Sequence, residues 1–254
     1  MSGKAHGTTQ RFQVTVPVAD LRKTPGGARV RQLLMGAIVT ASGQRDGAYM
    51  VEAEQDGYAG FIDPALLAPA RPATHKVATL ATHLYKRPDL KSEDVVSLSF
   101  GTLLTLTDRD GAFFRTQDGL FVPAVHVAKA HLRYRDPVAV ADLFLGTPYL
   151  WGGNSRLGLD CSGLVQTALL ACGVACPGDS GDQERVLGKA LAPRTAPQRG
   201  DLMFWRGHVA LVVDPDLLIH ANAHHMAVAL EPVTDAIARI AEQGDGAVTS
   251  HRRL

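Results

Sequence analysis

The first half of the chain repeats itself, and that repeat restricts the fold more than any single motif does. Residues 20–25 read DLRKTP and residues 83–88 read HLYKRP; LLMGAIVT at 33–40 returns as LSFGTLLT at 98–105; RDGA at 45–48 returns at 109–112. The offsets are 63, 65 and 64, so two copies of one module of about 60 residues lie in tandem. Within the first copy, short β-forming runs (37–41, 49–53, 59–62) alternate with Asp46-Gly47 and Asp56-Gly57. Asp-Gly supplies the left-handed backbone that tight hairpins require, so each copy is expected to be a small β-barrel or sandwich. The stretch 68–74 (APARPAT) reads as the linker between the copies, and residues 133–137 lead into a third region. The expected domains are therefore 1–70, 71–134 and 135–254.

The pattern of an Asp-Gly, an aromatic and a valine, followed by a second Asp-Gly with flanking aromatics, resembles bacterial SH3-like domains. The second copy is more degenerate, with Gly119-Leu120-Phe121 where the first has Gly57-Tyr58-Ala59.

Composition excludes several functions. Lys and Arg total 26 against 25 Asp and Glu, which argues against a basic stripe for nucleic acid. The start, MSGKAHGTTQRFQ, is polar and has no apolar leader, and the longest apolar runs are too short for a bilayer. A soluble, cytoplasmic protein without a membrane partner is expected. The 3 cysteines all fall between 161 and 176, which is no disulfide framework.

From Val138 the texture changes. Residues 138–145 have helical spacing, a Gly- and aromatic-rich loop follows, and a second apolar helix begins at Cys161. The runs 209–213 and 217–221 read as strands, so this region is α+β. Cys161 stands at a helix start between Asp160 and Ser162, where the macrodipole and free N–H groups favour a thiolate. Cys172 and Cys176 lie on or beyond the helix body and read as inert.

His208 and His220 flank Asp214-Pro215-Asp216 in what reads as a β-hairpin. A turn centred on Asp214 pairs the two histidines directly, with Cβ atoms roughly 4.5–5.5 Å apart. A nucleophile, a base and a group that orients the base would then be present. Two cross-strand histidines also occur for purely structural reasons. His220, His224 and His225 form a local cluster, yet no helical HExxH or paired-cysteine spacing supports a metal site. Trp151 and Trp205 fit either a cleft wall or a core. Arg199-Gly200-Asp201 reads as a structural turn before a strand.

Taken together, YLWGGNSRLGLDCSGLVQ, RGDLMFW, GHVALVV and LIHA, in that order, resemble the NlpC/P60 family of papain-like cell-wall peptidases across roughly residues 138–231. The resemblance implies an α+β papain-like domain behind two SH3-like barrels. It implies that Cys161 is the nucleophile, His208 the general base and acid, and His220 the orienting residue, with no cofactor. It places Tyr149 near the oxyanion and Asp160, Ser162 and Trp151 along the cleft. With two SH3-like modules, the chain is similar to enzymes that cut the γ-D-glutamyl–L-diamino acid bond of murein peptides during recycling and favour a free N-terminal L-Ala. In those enzymes an SH3-like module limits the substrate's N-terminal side. Asp179 and Ser180 match the loop that meets the substrate's amine, and Tyr58 matches a tyrosine that does likewise. The acidic residue that such SH3-like modules contribute has no counterpart, Val30 or Gln32 standing near its place. Two alternatives remain at this stage: a non-catalytic binder of cell-wall peptides, and an amidase or acyltransferase using the same three residues.

Overall fold

A computed structural model describes residues 10–254. The first nine residues, which carry most of the polar start discussed above, lie outside the described part. The chain divides into two compact units, Met1–Leu132 and Arg133–Leu254.

The first unit contains the repeat. Strands β1 (Gln10–Val14), β2 (Val18–Arg22), β3 (Arg29–Leu34), β4 (Ile38–Arg45), β5 (Ala48–Ala53), β6 (Ala59–Ile62) and β7 (Leu67–Pro69) form one sheet in the order β3-β2-β6-β5-β4-β1-β7. The second copy has β8 (His75–Val77), β9 (Ala81–Tyr85), β10 (Asp94–Ser99), β11 (Leu103–Leu104), β12 (Leu106–Asp110), β13 (Phe113–Thr116), β14 (Phe121–Pro123) and β15 (Val127–Lys129). Its strand orders, β10-β9-β14-β13-β12 and β11-β8-β15, repeat those of the first copy, with the counterpart of β4 broken after Leu104. In each copy a one-turn 3₁₀ helix precedes the last strand. The β4–β5 hairpin closes on Asp46 (φ 46°) and Gly47 (φ 81°), both left-handed as a type I′ turn demands. The equivalent β12–β13 pair joins Asp110 to Phe113, so its turn has moved one residue, onto Gly111-Ala112. Ala68 and Pro69 pair with β1, so only residues 70–74 of the expected linker lie outside strands.

Each copy has its own core. Val14, Leu21, Leu33, Val39, Val51 and Ile62 fill the first, and Val77, Leu84, Leu98, Leu104, Leu106 and Val122 the second. Alternate residues of short twisted strands point inward, so a few Val and Leu per strand suffice to close each one.

The second unit begins with α1 (Pro137–Asp142), with Pro137 at its first position and the Asp136 side chain accepting from the Val138 N–H at 2.9 Å. It is shorter than the apolar spacing over 138–145 suggested. Next come the short hairpin β16 (Asn154–Ser155) and β17 (Gly158–Leu159), then α2 (Cys161–Ala171) and α3 (Ser180–Val186). Strands β18 (Lys189–Ala190), β19 (Leu202–Trp205), β20 (His208–Asp214), β21 (Leu217–Asn222) and β22 (Ala227–Pro232), followed by α4 (Val233–Glu242) and β23 (Ser250–Arg253), complete it. The antiparallel sheet runs β18-β23-β19-β20-β21-β22. Helix α2 is buried along most of its length and packs with α1 and against β20 and β21. On α4, Val233, Ala236 and Ile240 cover Met203, Trp205, Ala210, Val212 and Leu218. Among the described residues no helix is long and apolar enough to cross a membrane.

Candidate active site

Cys161 is the first residue of α2, and its local geometry follows from Asp160. The Asp160 carboxylate caps the helix by accepting from the Gly163 N–H at 2.6 Å. It also accepts from the Gly152 N–H at 2.9 Å and the Ser162 hydroxyl at 3.0 Å. Gly163 is needed because a Cβ there would meet the Gly153 carbonyl oxygen at 2.5 Å. Asp160 and Ser162, expected along the cleft, are thus engaged in fixing the start of α2, and Ser162 is buried.

The thiol meets the sheet at the start of β20. Cys161 Sγ lies 3.9 Å from the Gly207 carbonyl, and the Val209 N–H is directed at the sulfur, so His208 falls between the two residues that touch the thiol. His208 Nε2 is 2.9 Å from His220 Nδ1. The expected direct pairing is corrected: β20 and β21 pair Leu211 with Ile219 and Val212 with Leu218, and a bulge falls between Val212 and Asp214. That ladder, carried back, sets His220 beside Ala210. A shift of two residues leaves both histidines on one face, and the imidazoles meet diagonally.

Two further residues complete the chain of contacts. His220 Nε2 lies 2.9 Å from Glu231 Oε2 on β22. Arg239, on α4, donates to both oxygens of that carboxylate at 2.7 Å each. An acidic residue inside the apolar run AVALEP was the only hint of this in the sequence, and Arg239 had none.

Burial dominates the electrostatics. It pushes the Cys161 thiol up to about 12, and the Asp160 carboxylate adds to this; the N–H groups of Val209, Ser162 and Cys161 itself act in the opposite direction. The thiol is therefore raised rather than depressed as the helix start led one to expect: desolvation outweighs the N–H groups that favour the thiolate. Burial also moves His208 down to about 3, with His220 and Arg239 acting the same way and Glu231 opposing. His220 moves down to about 4 for the same first cause, against the pull of Glu231. Glu231, which burial alone would raise, is held below the ordinary carboxyl value by Arg239 and His220. The resting site thus holds a neutral thiol, two neutral imidazoles and a carboxylate. Tyr149 is half-buried, and burial followed by the charges of Cys161 and Asp160 raises its phenol to about 12, so it keeps its proton at neutral pH.

The remaining expected residues divide. Asp179 stands, exposed, at the residue before α3 without a side-chain capping hydrogen bond, and Ser180 begins that helix. Gln183, buried on α3, donates to the carbonyls of Ser162 (3.0 Å) and Pro177 (2.9 Å), tying this loop to the start of α2. Trp151 is 71% exposed, whereas Trp205 is core, its ring 5.7 Å from that of His208. Tyr58 belongs to the first unit, where it packs on the core beneath the Arg31 guanidinium. For a metal, donor atoms of His220, His225 and Glu231 lie within 4.8 Å of one another, a different set from the histidine cluster in the sequence. Both His220 nitrogens and both Glu231 oxygens already have partners, and the Arg239 charge disfavours a cation there.

A cysteine at a helix start, set against an antiparallel sheet that carries two bonded histidines, is the arrangement of the papain-like cysteine peptidase fold. Residues 146–240 match the NlpC/P60 family, and residues 21–67 match the bacterial dipeptidyl-peptidase Sh3 domain. Residues 146–240 thus form an NlpC/P60 family domain. Among its relatives is the gamma-D-glutamyl-L-lysine dipeptidyl-peptidase of Bacillus cereus, 31% identical over 63% of this chain and 48% of the relative. The protein of the same name from Bacillus subtilis is 31% identical over 71% of this chain and 66% of its own length. The aligned part therefore spans about half to two thirds of these relatives. The crystal structure of an NlpC/P60 family protein from Bacillus cereus shares the fold, with a TM-score of 0.78 at 22% identity over 96% of this chain and 99% of that one.

Proposed function

We propose that the protein is a cysteine peptidase that hydrolyses the γ-D-glutamyl–L-diamino acid bond of murein peptides bearing a free N-terminal L-Ala, in cytoplasmic peptide recycling. The observation that carries this reading is the His208–His220 hydrogen bond at 2.9 Å, beside a cysteine at the start of a capped helix. The names of the relatives support the bond specificity.

In the first step the Cys161 S–H proton passes to His208 as sulfur bonds the γ-carbonyl carbon and the carbonyl electron pair moves onto oxygen. Tyr149, still protonated, and the Cys161 backbone N–H donate to that oxyanion. Collapse breaks the C–N bond, and His208 returns its proton to the departing amine. Water then attacks the thioester, giving its proton to His208 and finally to sulfur, so that the carboxylic acid leaves and the thiol is restored. His220 orients His208 throughout. On the substrate's amine side, the exposed Asp179 carboxylate suits a free ammonium, Ser180 adds a hydroxyl beside it, and Trp151 offers an apolar face.

Mass spectrometry of products from L-Ala-γ-D-Glu-L-diamino acid tripeptides, free and N-acetylated, tests this. The expected result is release of L-Ala-D-Glu from the free peptide and little cleavage of the blocked one. Equal cleavage of both removes the free-amine requirement, and cleavage at another bond removes the specificity.

A further inference from the structure

Glu231 and Arg239 touch neither the thiol nor any atom that reacts, yet they continue the line of contacts beyond His220. Resting on the peptidase reading above, we propose that Glu231, clamped by Arg239, is a positioning residue that fixes the proton positions of both histidines, leaving Nδ1 of His208 as the lone pair that receives the Cys161 proton.

The argument follows from what each atom can do. An ionised carboxylate only accepts hydrogen bonds, and Arg239 donates to both Glu231 oxygens at 2.7 Å. The 2.9 Å contact from Glu231 Oε2 to His220 Nε2 therefore requires a proton on that nitrogen. A neutral imidazole with its proton on Nε2 has a bare Nδ1, which accepts. His220 Nδ1 is the atom that meets His208 Nε2 at 2.9 Å, so His208 must carry its own proton on Nε2 and be bare at Nδ1. One carboxylate thus determines two tautomers in series. Reversing the first reverses the second: a proton on His220 Nδ1 would force His208 Nε2 to accept. His208 would then be protonated on Nδ1 and could not take a proton from sulfur there.

Glu231→Gln is nearly isosteric and turns this logic around. A glutamine has one acceptor oxygen, which the Arg239 fork claims, leaving its amide N–H₂ toward His220 Nε2 and favouring the opposite tautomer. His220→Asn provides the control, because an asparagine Oδ1 occupies the place of the imidazole Nδ1 and accepts from His208 in either case.

The test combines histidine ¹⁵N NMR at pH 7 with steady-state kinetics. In the unmodified protein, His208 and His220 are both expected to be protonated on Nε2; either one protonated on Nδ1 overturns the proposal without any variant. Glu231→Gln is expected to move both protons to Nδ1 and to lower kcat by about 10²-fold, with KM changed less than about twofold. In the His220→Asn background the same substitution is expected to lower kcat by less than about twofold. A residue that only braces α4 would change the melting temperature and leave the tautomers alone, so unmoved ¹⁵N shifts in Glu231→Gln, or an equal kcat loss in both backgrounds, refute the role. The NMR outcome does not depend on which bond the enzyme cuts, so failure of the peptidase reading would appear separately, as undiminished turnover in Cys161→Ala.

Discussion

The second unit contains the same trio of side chains twice. At the C-terminal strand, Asp201 accepts from Arg253 at 2.7 Å through each oxygen and from His251 at 2.8 Å. On the edge strand β22, Glu231 accepts from Arg239 at 2.7 Å through each oxygen and meets His220 at 2.9 Å. Both carboxylates are buried, and both are held below the ordinary value by their arginine against the cost of burial. They differ in where the histidine leads. His251 lies on the strand that pairs with β19, whereas His220 passes the contact on to His208 beside the thiol. A buried ionic trio is therefore not in itself a sign of function; what sets the Glu231 trio apart is that its chain of hydrogen bonds continues to His208.

That contrast can be broken experimentally, and the largest effect is expected at His208. His208→Ala removes the proposed base while Asp201 keeps all its partners, and is expected to lower kcat/KM about 10⁴-fold. Stability at pH 7 should fall modestly, because the histidine lost is neutral and its removal costs packing and the hydrogen bond to His220; differential scanning calorimetry and hydrolysis assays check both. Next in size, Asp201→Asn should lower the melting temperature by about 5 °C and leave kcat within about twofold, since only strand β23 and the Arg199-Gly200-Asp201 turn lose their tie. A loss of kcat without loss of stability in that variant would erase the distinction between the two trios.

A further effect is expected with pH. His208 and His220 titrate at about 3 and about 4 when folded, below the ordinary 6.5. Between those values and 6.5 the unfolded chain binds protons that the folded chain does not, so stability falls as pH drops below 6.5, and the loss is complete once the folded values are passed. Activity should persist further into acid than an unshifted histidine allows, with the acid limb of kcat/KM below about pH 5. A limb near 6.5 would mean that the pair is not desolvated. Chemical denaturation at several pH values, in the parent chain and in His208→Ala, should show a weaker dependence in the variant.

How much of this could be read beforehand depended on how local the cause was. The repeat and the Asp46-Gly47 hairpin were legible because turn chemistry resides in adjacent residues. The helix start at Cys161 was legible for the same reason, since Asp160 caps it from one position away. The hairpin of the two histidines was read two residues out of step, because its turn lies at Pro215-Asp216 rather than centring on Asp214, and the bulge between Val212 and Asp214, which has no side-chain signature, takes back only one residue of that displacement. The conclusion survived only because side chains alternate with period two. Glu231 and Arg239 meet through tertiary packing, and a charged residue on an amphipathic helix such as α4 reads as solvated. The thiol was misjudged for a related reason: its pKa depends on how deeply α2 is buried, which the local pattern does not contain.

Everything proposed for the second unit converges on sulfur at position 161, so the most direct measurement is the hydrolysis rate of an L-Ala-γ-D-Glu-L-diamino acid peptide by Cys161→Ala, beside the parent chain and at matched stability. The account predicts a loss of about 10⁶-fold, to the level of the buffer, with the melting temperature little changed. Turnover by a folded Cys161→Ala variant at the parent rate would contradict it.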